Sequence, residues 1–254
     1  MKKLIVFSLI ALLLNAGNVT AQTNARNEKD FTAAFDAAIV KTLEKIPDVP
    51  GIAFVVIKDD KPIFTKAYGM ADKEAGLKAD SKTLWYMGST TKSFTALVAA
   101  MLDKEGKIKL SDPVAKYTQG IQFKTTLPDK IIVRDLLTHT SGLQNSPLVF
   151  RTAFSGQIDK AEIEHAFAQG TTFDEANYGK YRYTNLGYNI YGLLVENNLG
   201  LKWQDLLHQR IFDPAGMKHS TAYASRAASK KWTIAAPYVF SDQAGGIIRS
   251  RLNK

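Results

Sequence analysis

Gly88-Ser89-Thr90-Thr91-Lys92-Ser93-Phe94-Thr95-Ala96-Leu97-Val98-Ala99-Ala100-Met101-Leu102-Asp103-Lys104-Glu105-Gly106 joins an apolar helical pattern to a pair of reactive side chains. Phe94, Leu97, Val98, Met101 and Leu102 fall at helical spacing and Gly106 closes the run, so the stretch predicts a well-buried helix. Ser89 and Lys92, three residues apart at its start, leave the same face about one turn apart. A serine alone is a poor nucleophile. A helix N-terminus favours negative charge developing on its oxygen, and a partly desolvated lysine can take its proton. This is the chemistry of acyl transfer through an ester on serine. The Ser-x-x-Lys spacing arises by chance about once in a chain of this size, so its weight comes from Gly88 before it and the buried helix behind it.

Working outward, Phe31, Phe35, Ile39, Leu43 and Ile46 form one stripe of an amphipathic helix from Glu28 to Ile46, closed by Pro47. Ile52 to Ile57 and Pro62 to Gly69 read as strands joined by a turn at Asp59-Asp60-Lys61. Ser111 is placed to cap a short turn at Asp112-Pro113. Ile131 to Thr138 predicts a short helix stopped by Ser141-Gly142. Leu186 to Asn197 is helical up to Gly200, and Lys202 to Ile211 up to Pro214. Strands cluster on the N-terminal side and helices from about Ser89 to Met217, with no repeat and no linker dividing the chain.

The 254 residues are 45% hydrophobic and 22% charged, the balance of an ordinary globular protein. There is no cysteine, which removes disulfide frameworks, Cys-ligated metals, iron-sulfur clusters and thiol catalysis. The net charge of +9 is scattered, without a run that resembles a nucleic-acid tail. Residues 1–21 read as a cleaved secretory signal: Lys2 and Lys3, the apolar Leu4 to Leu14, then Val19-Thr20-Ala21 as the cleavage site. Cleavage predicts a mature chain of 22–254 beginning at Gln22, with charge +7, in the periplasm or outside the cell and without a stable membrane anchor. An uncleaved anchor is the alternative.

Tyr183 and Asn185 lie two apart just before a predicted helix. An extended segment presents both to one cleft, the phenol to relay a proton and the amide to orient substrate or lysine. Equally, Tyr183 can be a core aromatic and Asn185 a helix cap.

Taken in order, Gly88 to Ala96, Gly106-Lys107-Ile108-Lys109-Leu110-Ser111-Asp112-Pro113 and Ile132-Val133-Arg134-Asp135-Leu136-Leu137-Thr138-His139-Thr140-Ser141-Gly142-Leu143 closely resemble the serine β-lactamase and penicillin-binding-protein superfamily. Within it the resemblance is to the class C β-lactamase branch, which also holds D-Ala-D-Ala carboxypeptidases, D-aminopeptidases and esterases. Tyr183-Thr184-Asn185-Leu186-Gly187-Tyr188 looks like the second motif and Pro214-Ala215-Gly216-Met217 like a later one. The resemblance implies an α/β (α+β) fold, a helix cluster against a mainly antiparallel sheet with the site between them. It implies Ser89 as acylated nucleophile, Lys92 as general base, Tyr183 as second proton carrier and Asn185 as substrate-orienting amide. The Ser89 N–H would supply half of an oxyanion hole. No cofactor is implied, and the substrate expected is a β-lactam, a peptidoglycan-derived D-Ala-D-Ala-type peptide or a small ester.

One departure from the pattern matters. The family's third motif, Lys-Thr-Gly or His-x-Gly, has no match after Asn185. Ala244-Gly245-Gly246-Ile247 looks like a segment that leads into a further helix, yet Arg249 to Lys254 does not continue it. The expectation is a C-terminally incomplete hydrolase domain lacking the last strands and helix, with the Phe31, Phe35 and Ile39 stripe partly uncovered. Two functions follow: a secreted serine hydrolase working through an acyl-enzyme, or an impaired homologue that at most binds cell-wall ligands. Other constellations are weaker. His139 and Ser141 lack a Gly-x-Ser-x-Gly elbow, and His139 is assigned to structure. His165, His208 and His219 lack zinc spacing, and no phosphate loop or nucleic-acid module is present. The sequence leaves the oligomeric state open.

Overall fold

The computed structural model describes residues 28–154, 159–241 and 245–250, so the signal-peptide expectation lies outside the described residues. The chain divides into two compact units. In the first, α1 (Glu28–Leu43) accompanies the outer parts of β1 (Gly51–Lys58) and β2 (Lys61–Asp72). Asp59 and Asp60 join the strands with φ of 49° and 60°, the left-handed pair that a two-residue hairpin turn requires. Phe35 meets Phe54 and Phe64 edge-on, with ring centroids 5.9 and 5.2 Å away, and stacks on Phe31 at 5.8 Å. The predicted stripe is graded. Phe31 is 47% exposed, Phe35 half-buried and Ile39 buried.

The second unit holds the other helices. β3 (Leu77–Lys78) pairs antiparallel with the end of β2, giving the sheet order β1-β2-β3. A 3-10 turn at Gly88–Thr90 leads into α2 (Thr91–Lys104), which buries Thr95, Val98, Ala99 and Leu102. The α-helix proper thus starts two residues later than the motif predicts, leaving Ser89 in the tighter turn ahead of it. The turn expected at Asp112-Pro113 is a 3-10 segment at Val114–Tyr117. The Asp112 carboxylate accepts from the Tyr117 hydroxyl and from Lys116. Next come α3 (Val133–Leu137), β4 (Leu143–Gln144), α4 (Ser146–Phe154), α5 (Lys160–Gly170) and β5 (Thr172–Phe173). β5 pairs antiparallel with β4. The periodicity of the sequence missed α4 and α5, although Asp159 and Glu162 form a reciprocal capping box on α5.

The core is organised around α6 (Leu186–Leu199), where Leu186, Ile190, Tyr191, Leu193, Leu194 and Val195 are all buried. Gly200, at φ 64°, ends it in the left-handed conformation. α3 crosses α6 so closely that a Cβ on Gly187 would lie 2.1 Å from the Leu136 carbonyl oxygen. The expected helix to Ile211 is α-helical only through α7 (Trp203–Leu207) and then widens into a π turn at His208–Phe212. There the Asp213 N–H reaches back to the His208 carbonyl at 2.9 Å, spanning five residues instead of four. α8 (Ala224–Ser229) precedes the antiparallel hairpin of β6 (Tyr238–Ser241) and β7 (Gly246–Arg249). Gly246 and Ile247 are therefore strand residues, with Ile247 opposite Phe240. The hairpin is tied to β2 by the Ala236 N–H on the Ala71 carbonyl (2.7 Å) and by an Arg249–Asp72 ion pair (2.9 Å).

Candidate active site

The four residues singled out in the sequence come together. Ser89 comes from the turn ahead of α2, Lys92 from the first turn of α2, and Tyr183 and Asn185 from the segment leading into α6. Ser89 Oγ lies 2.5 Å from Tyr183 Oη. Lys92 Nζ donates to Ser89 Oγ at 3.1 Å and to Asn185 Oδ1 at 2.7 Å. It also lies 5.1 Å from the Tyr183 ring centroid and 5.4 Å from that of Tyr188, within range of attraction to both aromatic faces.

Both ordinary explanations of the Tyr183–Asn185 pair fail against this geometry. Tyr183 is 53% exposed, so it is no core aromatic. Asn185 occupies the N-cap position of α6 but makes no side-chain cap. Thr184 Oγ1 accepts the Leu186 N–H instead, at 3.1 Å, which leaves the Asn185 amide oxygen for Lys92. Burial pushes the Tyr183 phenol up. The hydrogen bonds of Lys92 and Ser89, with the Lys92 charge, outweigh it and hold the phenol below its ordinary value.

His139 and Ser141 are engaged elsewhere. Ser141 is buried and its hydroxyl accepts the Leu143 N–H. The His139 ring lies on Tyr183, centroids 4.6 Å apart, and near Tyr188 at 5.5 Å. Tyr188, present in the second motif but given no role from sequence, donates its hydroxyl to the Leu137 carbonyl at 3.0 Å. A cavity of about 330 Å³ opens beside the cluster, lined by Tyr183, Asn185, His139, Gln144, Asn145 and Arg182 among others. Among the described residues no carboxylate lines it.

Comparison with known proteins gives a family model, described as Beta-lactamase, that matches residues 37–248. Protein flp of Staphylococcus aureus (strain MW2) is 25% identical over 206 residues, 81% of this chain and 41% of that protein. Teichoic acid D-alanine hydrolase of Staphylococcus aureus (strain MRSA252) is 29% identical over 177 residues, 69% of this chain and 42% of that protein. The chain thus spans about two-fifths of the length of these curated relatives. The crystal structure of FmtA from Staphylococcus aureus is similar with a TM-score of 0.70 at 25% identity, covering 89% of this chain and 57% of that one. A match to one family model over that span, with a solved neighbour of the same architecture, makes this chain a member of the Beta-lactamase family with a β-lactamase/transpeptidase-like fold.

Proposed function

We propose that the protein is a secreted serine hydrolase that works through an acyl-enzyme on Ser89. The observation that carries this reading is the hydrogen-bonded cluster of Ser89, Tyr183, Lys92 and Asn185. Ser89 Oγ attacks the carbonyl carbon of an ester or amide while its proton passes to the oxygen of Tyr183 in its phenolate form, and Lys92, the base that the resemblance implies, favours that phenolate by its hydrogen bond and charge. The bond to the leaving group breaks, and the leaving amine or alcohol takes the proton back. Water then releases the acyl group by the reverse relay. The Ser89 N–H serves as one oxyanion donor, a contribution of about 2.7 to 4 kcal/mol in comparable sites.

The hydrolase named for D-alanine on teichoic acid supports a substrate whose acyl part is a small amino acid, alongside the β-lactams and D-Ala-D-Ala-type peptides implied by the sequence. The cavity beside Tyr183 and Asn185 offers space for the rest of the molecule. The experiment is mass spectrometry after incubation with a reactive β-lactam and with 4-nitrophenyl acetate. An adduct on Ser89, absent in Ser89→Ala and strongly reduced in Lys92→Ala, is expected. An adduct elsewhere, or one that persists in Ser89→Ala, sinks the assignment. The second reading is a homologue that binds its ligand without turnover. A Ser89 adduct that forms but is never hydrolysed would decide for it.

A further inference from the structure

His139 stands in a conformation that its sequence neighbours do not explain. It has φ of 63°, a left-handed backbone that non-glycine residues seldom adopt. In that conformation it holds the segment carrying Tyr183 from both sides. Its carbonyl accepts the Arg182 N–H at 2.8 Å, and its Nδ1 accepts the Thr184 N–H at 3.3 Å. The next carbonyl, that of Thr140, accepts the Gly179 N–H at 2.9 Å. The residues immediately before and after Tyr183 are therefore both tied to His139, and its ring lies on the phenol between them.

We propose that His139 is a positioning residue: by accepting the Thr184 N–H through an unprotonated Nδ1 and packing its ring at a tilt against Tyr183, it fixes the phenol against Ser89. The inference rests on the reading of Ser89 and Tyr183 given above. An N–H aimed at Nδ1 needs the lone pair there, so the imidazole carries its proton on Nε2. Protonation of Nδ1 would replace the bond by two opposed N–H groups and release the Thr184 end of the segment. The groups facing the ring are Lys92 from α2, Tyr181 and Tyr183 from the segment before α6, and Tyr188 from α6. The carboxylate of α3, Asp135, is occupied by the Ile132 N–H at 3.0 Å and the Thr140 hydroxyl at 3.3 Å. Burial, then the charge of Lys92, hold His139 below its ordinary value against a smaller opposing effect of the Thr184 backbone, in keeping with a neutral ring.

Two substitutions separate positioning from mere accommodation of the backbone. Asparagine and glycine both tolerate the left-handed conformation, but only asparagine retains an acceptor. With 4-nitrophenyl acetate, His139→Asn, which keeps the acceptor but loses the ring, is expected to acylate Ser89 more slowly than the unsubstituted chain, and His139→Gly, which loses both, about tenfold or more slowly than His139→Asn. The loss should fall on the saturated rate of acylation and leave KM little changed. A readout free of acylation accompanies this: in the unsubstituted chain, the NMR signals of the Thr184 amide and the Tyr183 ring should move together along the titration of His139. Equal rates in the two variants, or Thr184 and Tyr183 signals that ignore His139, overturn the proposal. If the signals follow His139 but Ser89 is never acylated, the clamp stands and the hydrolase reading falls.

Discussion

Tyr183 Oη and Ser89 Oγ, ninety-four positions apart in the chain, lie 2.5 Å from each other. At that distance a hydrogen bond joins the hydroxyl that would attack to the oxygen that, as a phenolate, would take its proton. Tyr183→Phe removes only the oxygen from a half-exposed ring, so folding is expected to be unaffected. The rate of Ser89 acylation should fall by about 100- to 10,000-fold, the usual contribution of a positioned acid or base. Acylation followed by mass spectrometry, beside a thermal unfolding curve, checks both parts.

Gly187 brings α6 up against the backbone of α3. A methyl group there would meet the Leu136 carbonyl oxygen at 2.1 Å, and backbone cannot rotate away as a side chain can. Gly187→Ala is expected to cost about 1 to 3 kcal/mol despite alanine's better helix propensity. Urea unfolding would show it, and an unchanged midpoint would mean that the two helices separate easily.

Tyr191 is fully buried in α6, and its hydroxyl has no hydrogen-bond partner among the described residues. Leaving a buried hydroxyl unpaired costs about 1 to 3 kcal/mol. Tyr191→Phe should therefore leave the protein as stable or more stable, the reverse of the usual effect of a core substitution. A fall of the denaturation midpoint would reveal a partner for the hydroxyl.

Acid should destabilise the fold through its histidines. His208 is 6% exposed, and Arg226 Nη1 lies 3.0 Å from its Nδ1. Burial, then the Arg226 charge, hold it below its ordinary value, against weaker opposition from Asp213 and Asp205. His139 is lowered as well. In the unfolded chain both histidines bind protons as the pH falls through about 6.5, whereas in the folded protein they bind them only at lower pH. The stability they confer is complete above about pH 6.5 and is lost as the pH drops through the folded-state values. Unfolding free energy should decline by up to about 1.4 kcal/mol per pH unit for each histidine in that window. His208→Gln should make the decline shallower. A flat profile from pH 7 to 5 would contradict the expectation.

The sequence by itself determined whatever depends on near neighbours along the chain. The stripe of Phe94, Val98 and Leu102 specified a buried helix, Asp59-Asp60 a hairpin turn, and Gly200 a helix end, because periodicity, left-handed turns and caps are local physics. The Ser89–Lys92 spacing placed two groups one turn apart for the same reason. It also left α4 and α5 unread, since their apolar positions gain meaning only from the core they face, and it ran α7 on through the π turn at His208. Tertiary structure alone decided how Tyr183 and Asn185 are engaged: nothing local says that Thr184 accepts the Leu186 N–H and leaves the Asn185 amide oxygen to a lysine 93 positions away. It also turned His139 from a helix-end residue into the clamp on both sides of Tyr183. Contacts of that kind form only when α2, α3 and α6 share one core, because packing fixes distances between residues that the chain leaves free.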